Sequence, residues 1–386
     1  MASDSILNQT LDFSETRQEL FEARHLPGRF YTSPEIFEME IDEIFMKDWL
    51  CVGRVEQYAN PGDYRTLRIA NEPVLICKNR AGELKAFSNV CAHRGVEVIR
   101  GEGNVEQFSC PYHGWVYNLD GKLKVAPHNK DVRSFDWKSC GLPALQLDLW
   151  GGYIFINFDP NAQSLENYLA VDGVQENAGF LRAEDTLVGD DYTFEVGCNW
   201  KFIPENLMDM YHVGVIHGSS FGEHFPVAKF PFELEKNGYH AEYQSHTMAP
   251  EGAWLFGKPM PWLEGRHEKF AYTVFIPPTF SMFARPDMLQ PWYYHPIAPD
   301  RTRITILTQY PAEWFEQPAY TEKNQVISDF IRLVADEDKE MLKSLQNGVG
   351  SRAFRPGPTV RLEKAVHHIL NNYLDRMFGE GSSKTT

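Results

Sequence analysis

Two cysteine–histidine pairs, Cys91-Ala92-His93 and Cys110-Pro111-Tyr112-His113, stand sixteen residues apart along the chain. Each meets a loop that turns on glycine: His93-Arg94-Gly95 and His113-Gly114-Trp115. Two thiolates can hold one iron while two imidazoles hold a second. Such mixed ligation lifts the reduction potential to about −150 to +300 mV, well above that of an all-cysteine cluster. A structural zinc ion takes the same residue types, but its ligands are usually spaced C-x₂₋₄-C and then H-x₃₋₅-H rather than as two mixed pairs. The other cysteines, Cys51, Cys77, Cys140 and Cys198, have no such partners and read as small buried hydrophobes.

A second constellation runs from Asn199 to His217 and holds Asn206, Asp209, Tyr211, His212 and His217. Asp209 and His212, at i and i+3, share one face of a helix. His217 is about 500° further round, roughly 140° off that face in a regular helix. For both imidazoles to meet one metal the helix must distort or end between them, and Gly214 is well placed for that. Two histidines and one carboxylate with open positions form the usual site for a non-haem Fe(II) that activates O₂. The third ligand must come from elsewhere. The run Val334-Ala335-Asp336-Glu337-Asp338-Lys339-Glu340 offers several carboxylates, and a solvated acidic face is the plain reading for Glu337 and Glu340.

The C-x-H and C-x-x-H pairs, with Arg94-Gly95 and Gly114-Trp115 beside them, resemble the fingerprint of Rieske proteins in its oxygenase version. With the Asp-x-x-His-x₄-His segment about 100 residues later, nearly the whole chain resembles a Rieske non-haem iron oxygenase α subunit. The resemblance implies that Cys91 and Cys110 bind the inner iron of a [2Fe–2S] cluster and His93 and His113 the outer one. It implies His212, His217 and Asp338 as ligands of a mononuclear Fe(II), Asp338 being the Asp of the Glu337-Asp338 pair, with Asp336 as the fallback. It gives Asp209 the part of an electron bridge, from His113 of one subunit to His212 of the next, and hence implies a homotrimer of the α₃ class. Asn206 and Tyr211 tune the iron's surroundings or gate O₂; a buried ring with a bonded hydroxyl is an equal reading for Tyr211. The family takes electrons from NAD(P)H through a separate reductase or ferredoxin, and this chain has no nucleotide-binding G-x-G-x-x-G of its own. Arg94, Arg100, Lys122 and Lys124 are candidates for a basic dock for that partner, or are scattered surface charges.

The elements that must position these groups follow from the pattern. Residues 1–47 are polar and then helical. Between 48 and 160, short β-type runs alternate with turn dipeptides such as Pro61-Gly62 and Asp120-Gly121, a small all-β domain. Beyond it come a helical stretch at Trp200–Val215, long β-type runs between Tyr272 and Tyr310, and helices near 321–346 and 360–377. With residues 1–47 they make an α+β catalytic domain, an antiparallel sheet covered by helices, which the resemblance places in the helix-grip type. The tail from Gly379 to Thr386 reads as disordered.

A net charge of −16 argues against nucleic-acid binding, which needs a basic face. With no signal peptide in the N-terminal residues and no apolar run of about 18 residues, the expectation is a cytoplasmic protein away from membranes. The substrate pocket is expected among Phe221, Phe225, Trp254, Phe256, Trp262, Phe275, Phe280, Met282, Phe283, Trp292 and Tyr294. Such rings suit a flat hydrophobic aromatic, such as an anilide or aryl herbicide, oxidised by hydroxylation or N- or O-dealkylation. The aromatic substrate is the first choice; the alternative is a cation–π cage for a quaternary ammonium such as choline, carnitine or betaine. A Rieske electron carrier or a zinc-stabilised binding module would leave Asp209, His212 and His217 without a role. Iron content separates the three: about three irons per chain for the oxygenase, two for the carrier and none for the module.

Overall fold

The computed structural model describes residues 11–222, 233–235, 238–245, 247–249 and 252–384. Phe225 lies outside them. The chain forms two compact units, one of residues 45–165 and one of residues 1–44 with 166–386.

The smaller unit holds two antiparallel sheets. The larger has the strand order Leu50–Arg54, Tyr153–Asn157, Ala144–Trp150, Leu84–Ser88, Glu72–Lys78, Asp63–Ile69, Glu102–Asn104. The smaller joins Phe108–Ser109, Val116–Tyr117 and Leu123–Val125. Leu75, Phe87, Val98, Phe108, Tyr117 and Leu123 pack between them, and Cys91, Cys110 and Trp115 belong to the same core. The cysteine ends of the two metal-binding pairs are therefore rooted in packed hydrophobic matter.

In the other unit the sheet runs Thr186–Val196, Arg301–Pro311, Met288–Ala298, Phe280–Arg285, Phe270–Ile276, His240–Gln244, Glu233–Glu235, antiparallel throughout. Its central strands are buried on both faces, which is why Met288–Ala298 reads as a nearly unbroken apolar run. Side chains paired across neighbouring strands share a face. Phe283 opposite Gln290, Ser281 opposite Trp292 and Arg285 opposite Met288 thus form one wall.

The helix Tyr320–Val349 packs on this unit through a stripe of Ile327, Phe330, Ile331, Val334, Ala335, Asp338 and Leu342. Spacings of three and four keep those residues on one side of the helix, so Asp338 lies four residues from both Val334 and Leu342 on the buried face. Asp336 falls outside it, exposed and paired with Lys339 at 2.7 Å. At the other end, Ser33 caps the helix Pro34–Glu40 by accepting from Ile36 N. That helix delivers Glu40 into the interior, where its carboxylate accepts from Trp200 Nε1 at 2.7 Å, Lys201 Nζ at 2.5 Å and Tyr373 Oη at 2.7 Å. This knot anchors the root of the helix Phe202–Met208, which carries Asn206.

The C-terminal tail is ordered as far as Lys384, against the expectation of disorder. Phe13 N donates to Ser383 O, Arg17 Nε to Ser382 O, and Asp12 bridges to Lys384. Backbone pairing with the N-terminal segment holds what composition alone suggested was loose. Among the described residues no helix is long and apolar enough to cross a membrane.

Candidate metal centres and the cavity beside one of them

The two cysteine–histidine loops are built alike. Cys91 N donates to Val96 O and Cys91 O accepts from Gly95 N; Cys110 N donates to Trp115 O and Cys110 O accepts from Gly114 N. Both turns need left-handed backbone, with φ +78° at Gly95 and +70° at Gly114, which glycine adopts without strain. The cysteines are buried while His93 and His113 stand exposed at the tips, their Nδ1 atoms 3.1 Å apart. His93 stacks on Trp115 at 5.0 Å and Tyr112 lies against His113. Burial, together with Cys91 alongside, raises the pKa of the Cys110 thiol, so binding of a metal is what would displace its proton into solvent. Partial desolvation, with His93 and Arg94 nearby, lowers that of His113 and favours the neutral, ligating imidazole. Tyr117 Oη sits 3.2 Å from Cys91 Sγ and accepts from Ala92 N at 3.1 Å.

The second centre lies where the chain leaves helical geometry. The helix Phe202–Met208 ends at Asp209, whose backbone is extended (ψ 112°), and a one-turn helix, Val213–Ile216, follows. His212 is its N-cap and His217 its C-cap. The break therefore falls ahead of His212 and not at Gly214, which stays helical. Asp209 and His212 meet across that break rather than along one helical face, Oδ2 to Nδ1 at 3.0 Å.

His212, His217 and Asp338 offer three ligand atoms within 4.8 Å of one another, alone among the described residues in doing so. Asp338 Oδ1 lies 3.7 Å from His212 Nε2 and 3.3 Å from His217 Nε2. Each imidazole is oriented through its other nitrogen, His212 by Asp209 and His217 by Glu337 Oε2 at 2.8 Å. A carboxylate at Nδ1 keeps the proton there and leaves Nε2 free to bind a metal. Glu337 is thus a supporting partner of His217, also taking a bond from Ser220 Oγ at 2.9 Å, and not part of a solvated face. Glu340 is exposed and pairs with Lys343. Burial opposes charge on His217, yet Asp338 and Glu337 outweigh it and raise its pKa. Asn206 Nδ2 reaches Asp338 Oδ1 at 3.3 Å. Tyr211 is 57% exposed and takes no part in the cavity wall, so neither a buried role nor an O₂ gate inside this chain fits it.

Both donor sets fit the metals that the spacing suggested. Two imidazole nitrogens and one carboxylate oxygen suit a ferrous ion with open positions. The cysteine and histidine donors form two pairs, not one compact quartet, which suits two irons better than a single tetrahedral zinc.

The three-donor centre opens onto a cavity of about 60 Å³. Helical residues and the loop after them form one side, among them Phe221, Ile331 and Val334; the sheet contributes Tyr243, Phe283, Arg285, Gln290 and Trp292. Of the aromatic residues expected there, Phe221, Phe283 and Trp292 line it. The others do not. Phe280 and Met282 point to the opposite face of their strand, as alternation requires. Phe275 lines a second cavity with Trp200 and Tyr373. Phe256 packs on Tyr310 and Trp314, Trp262 Nε1 donates to Leu181 O, Tyr294 is sealed against Ser281, and Trp254 lies outside the wall. The polar members Arg285 and Gln290 escaped an aromatic-led reading, although their i, i+2 spacing from Phe283 and Trp292 puts them on the same face.

Residues 183–379 match the family described as the ring hydroxylating alpha subunit (catalytic domain), and residues 48–136 match the Rieske [2Fe-2S] domain. The chain is 29% identical over 346 residues to the carnitine monooxygenase oxygenase subunit of Escherichia coli (strain K12), covering 86% of each. It is 28% identical over 349 residues to the chloroplastic choline monooxygenase of Beta vulgaris, covering 89% of this chain and 75% of that one. Among solved structures, the quaternary ammonium Rieske monooxygenase CntA in complex with γ-butyrobetaine is similar at a TM-score of 0.76 and 25% identity, covering 96% and 99%. Matches that take in both units make this chain a member of the Rieske oxygenase α-subunit family, with a [2Fe–2S] cluster and a mononuclear non-haem iron as cofactors and O₂ as co-substrate.

Proposed function

We propose that the chain is the oxygenase subunit of a monooxygenase acting on a quaternary ammonium compound. The observation that carries this reading is its similarity, over most of its length, to proteins that oxidise carnitine and choline. The cavity agrees with it. Phe221, Tyr243, Phe283 and Trp292 line it, rings of the kind that hold a trimethylammonium group by cation–π contact. An anilide or aryl substrate, the first choice from ring content alone, draws no support from these relatives.

His212, His217 and Asp338 would hold the iron; Cys91, Cys110, His93 and His113 would hold the cluster. When bound, the cluster supplies single electrons and the iron a place for O₂ activation. This chain's own task is to fix both imidazole tautomers through Asp209 and Glu337, and to shape the cavity. A separate NAD(P)H-dependent reductase or ferredoxin supplies the electrons. We also infer a homotrimer in which Asp209 bridges to a neighbouring subunit. Asp209 is one-fifth exposed although bonded to His212, and Tyr211 and Val215 beside it are 57% and 81% exposed, surface that a second copy would cover.

The test is O₂ uptake and product mass with a surrogate reductase, using carnitine, γ-butyrobetaine and choline against an N-methylanilide. Uptake coupled to product with an ammonium compound, and none with the anilide, is the expected result. The reverse pattern would return the assignment to aromatic substrates.

A further inference from the structure

Among the described residues, one cation faces the cavity unanswered. Arg285 closes the strand Phe280–Arg285 and lines the cavity while being only 4% exposed. Its Nε and Nη1 are buried without a hydrogen-bond partner. Its guanidinium lies 5.5 Å from the Phe283 ring, and no described carboxylate forms an ion pair with it. Trp292 Nε1, on the same wall, is likewise buried and unpartnered.

A guanidinium cannot discard its proton to relieve burial. An unpaired buried charge is among the most destabilising features a protein can keep, so a ligand group is the natural completion. Arginine's planar fork matches a carboxylate, and the indole N–H on the same wall offers a further donor of the same sense. A purely cationic ligand would be repelled by the same group.

We propose that Arg285, with Trp292 Nε1, is a carboxylate-binding subsite, so that the substrate is a zwitterion or another carboxylate and not a simple cation such as choline. The carboxylate end lies on the sheet side at Arg285. The opposite, methyl-bearing end is then directed toward His212, His217 and Asp338. The ammonium half of this picture rests on the function proposed above; the carboxylate half stands on Arg285 alone.

The test uses the full chain loaded with both metal centres, under anaerobic conditions, with dissociation constants from titration calorimetry. Three probes of matched shape separate the two charges: γ-butyrobetaine, butyltrimethylammonium, in which a methyl replaces the carboxylate, and 5,5-dimethylhexanoate, in which a carbon replaces the nitrogen. γ-Butyrobetaine should bind about 30-fold or more tighter than butyltrimethylammonium, the range for losing one partner of a buried charge pair. Arg285→Gln should close that gap to within a few-fold and, having shed an unpaired charge, melt no lower than the native chain. Equal binding of γ-butyrobetaine and butyltrimethylammonium to the native chain would overturn the proposal, as would failure of both carboxylates to bind. If 5,5-dimethylhexanoate binds as tightly as γ-butyrobetaine, Arg285 keeps its role and the quaternary ammonium reading falls instead. Should Arg285→Gln fail to fold, the native comparison decides alone.

Discussion

The two metal centres are assembled on opposite plans. The cluster ligands sit in two short loops, each closed by its own backbone bonds, with buried cysteines and exposed histidine tips. The three iron-ligand candidates come from two segments of the chain, His212 and His217 from one and Asp338 from another more than 120 residues away, and two further carboxylates, Asp209 and Glu337, hold the imidazoles in place. A local loop carries its geometry with it. A long-range site depends on the packing of the whole unit, and its support must be as well built as its ligands.

The comparison breaks most sharply at Asp338. Asp338→Ala should leave the cluster's visible absorption intact while iron content drops from about three per chain to about two, with turnover lost. If the variant keeps its third iron and its turnover, the site has been misplaced. Asp209→Ala should separate the centres differently. Cluster colour should survive and, with iron supplied in excess to offset the weaker hold of an unsupported His212, the third iron should still load, yet turnover should fail if Asp209 is the proposed bridge; continued turnover in single-turnover assays with pre-reduced protein would refute the bridge. The effect of Glu337→Gln should be smaller. Oriented but less strongly polarised, His217 should bind iron about 10–100-fold more weakly, measurable by chelator competition, while a change confined to thermal stability would mean that Glu337 merely packs.

These contrasts explain what could be read from the chain in advance. Cys91, His93, Cys110 and His113 declare themselves because each loop is local and its glycines sit where the turn demands them. His212 and His217 were legible for the same reason. The break in their helix was not: Asp209 opens it by accepting from Tyr211 N and His212 Nδ1, an option competing with the helix that residue spacing does not reveal. Asp338 was within reach of periodicity, since Val334, Asp338 and Leu342 share a stripe that excludes Asp336. Glu337 was not, because its partner lies 120 residues away. The aromatic content gave only part of the cavity. Which rings face it depends on strand register, and its most informative residue, Arg285, is not aromatic.

The buried setting of the iron unit has a pH signature. Glu205, on the helix Phe202–Met208, accepts from Tyr31 Oη at 2.9 Å, and burial raises its pKa to about 7. The folded state thus holds this proton more tightly than the unfolded chain, whose value is 4.5. Stability should therefore fall as pH rises from about 4.5 to about 7, with the full penalty above that window. Glu205→Gln should remove this slope and gain on the order of 2 kcal/mol at pH 8, read from melting temperatures at pH 5 and pH 8. An unchanged slope would mean that Glu205 is charged throughout.

The smallest effect belongs to the cluster side. Tyr117 Oη accepts from Ala92 N, so its own hydrogen is free to point at Cys91 Sγ, 3.2 Å away. Burial makes the phenol harder to ionise, so it stays a donor. A donor to a cluster sulfur stabilises the more electron-rich, reduced state, and such bonds help to set the potential. Tyr117→Phe preserves the ring in its core and removes only that donor. Net worth of such a bond is about 1 kcal/mol, so the midpoint potential should fall on the order of tens of millivolts, with iron content and fold unchanged. A redox titration followed by the cluster's absorption would show it. A potential that did not move would mean the hydroxyl serves Ala92 alone, and that the cluster loops rely on backbone and cysteine placement without tuning from the core beneath them.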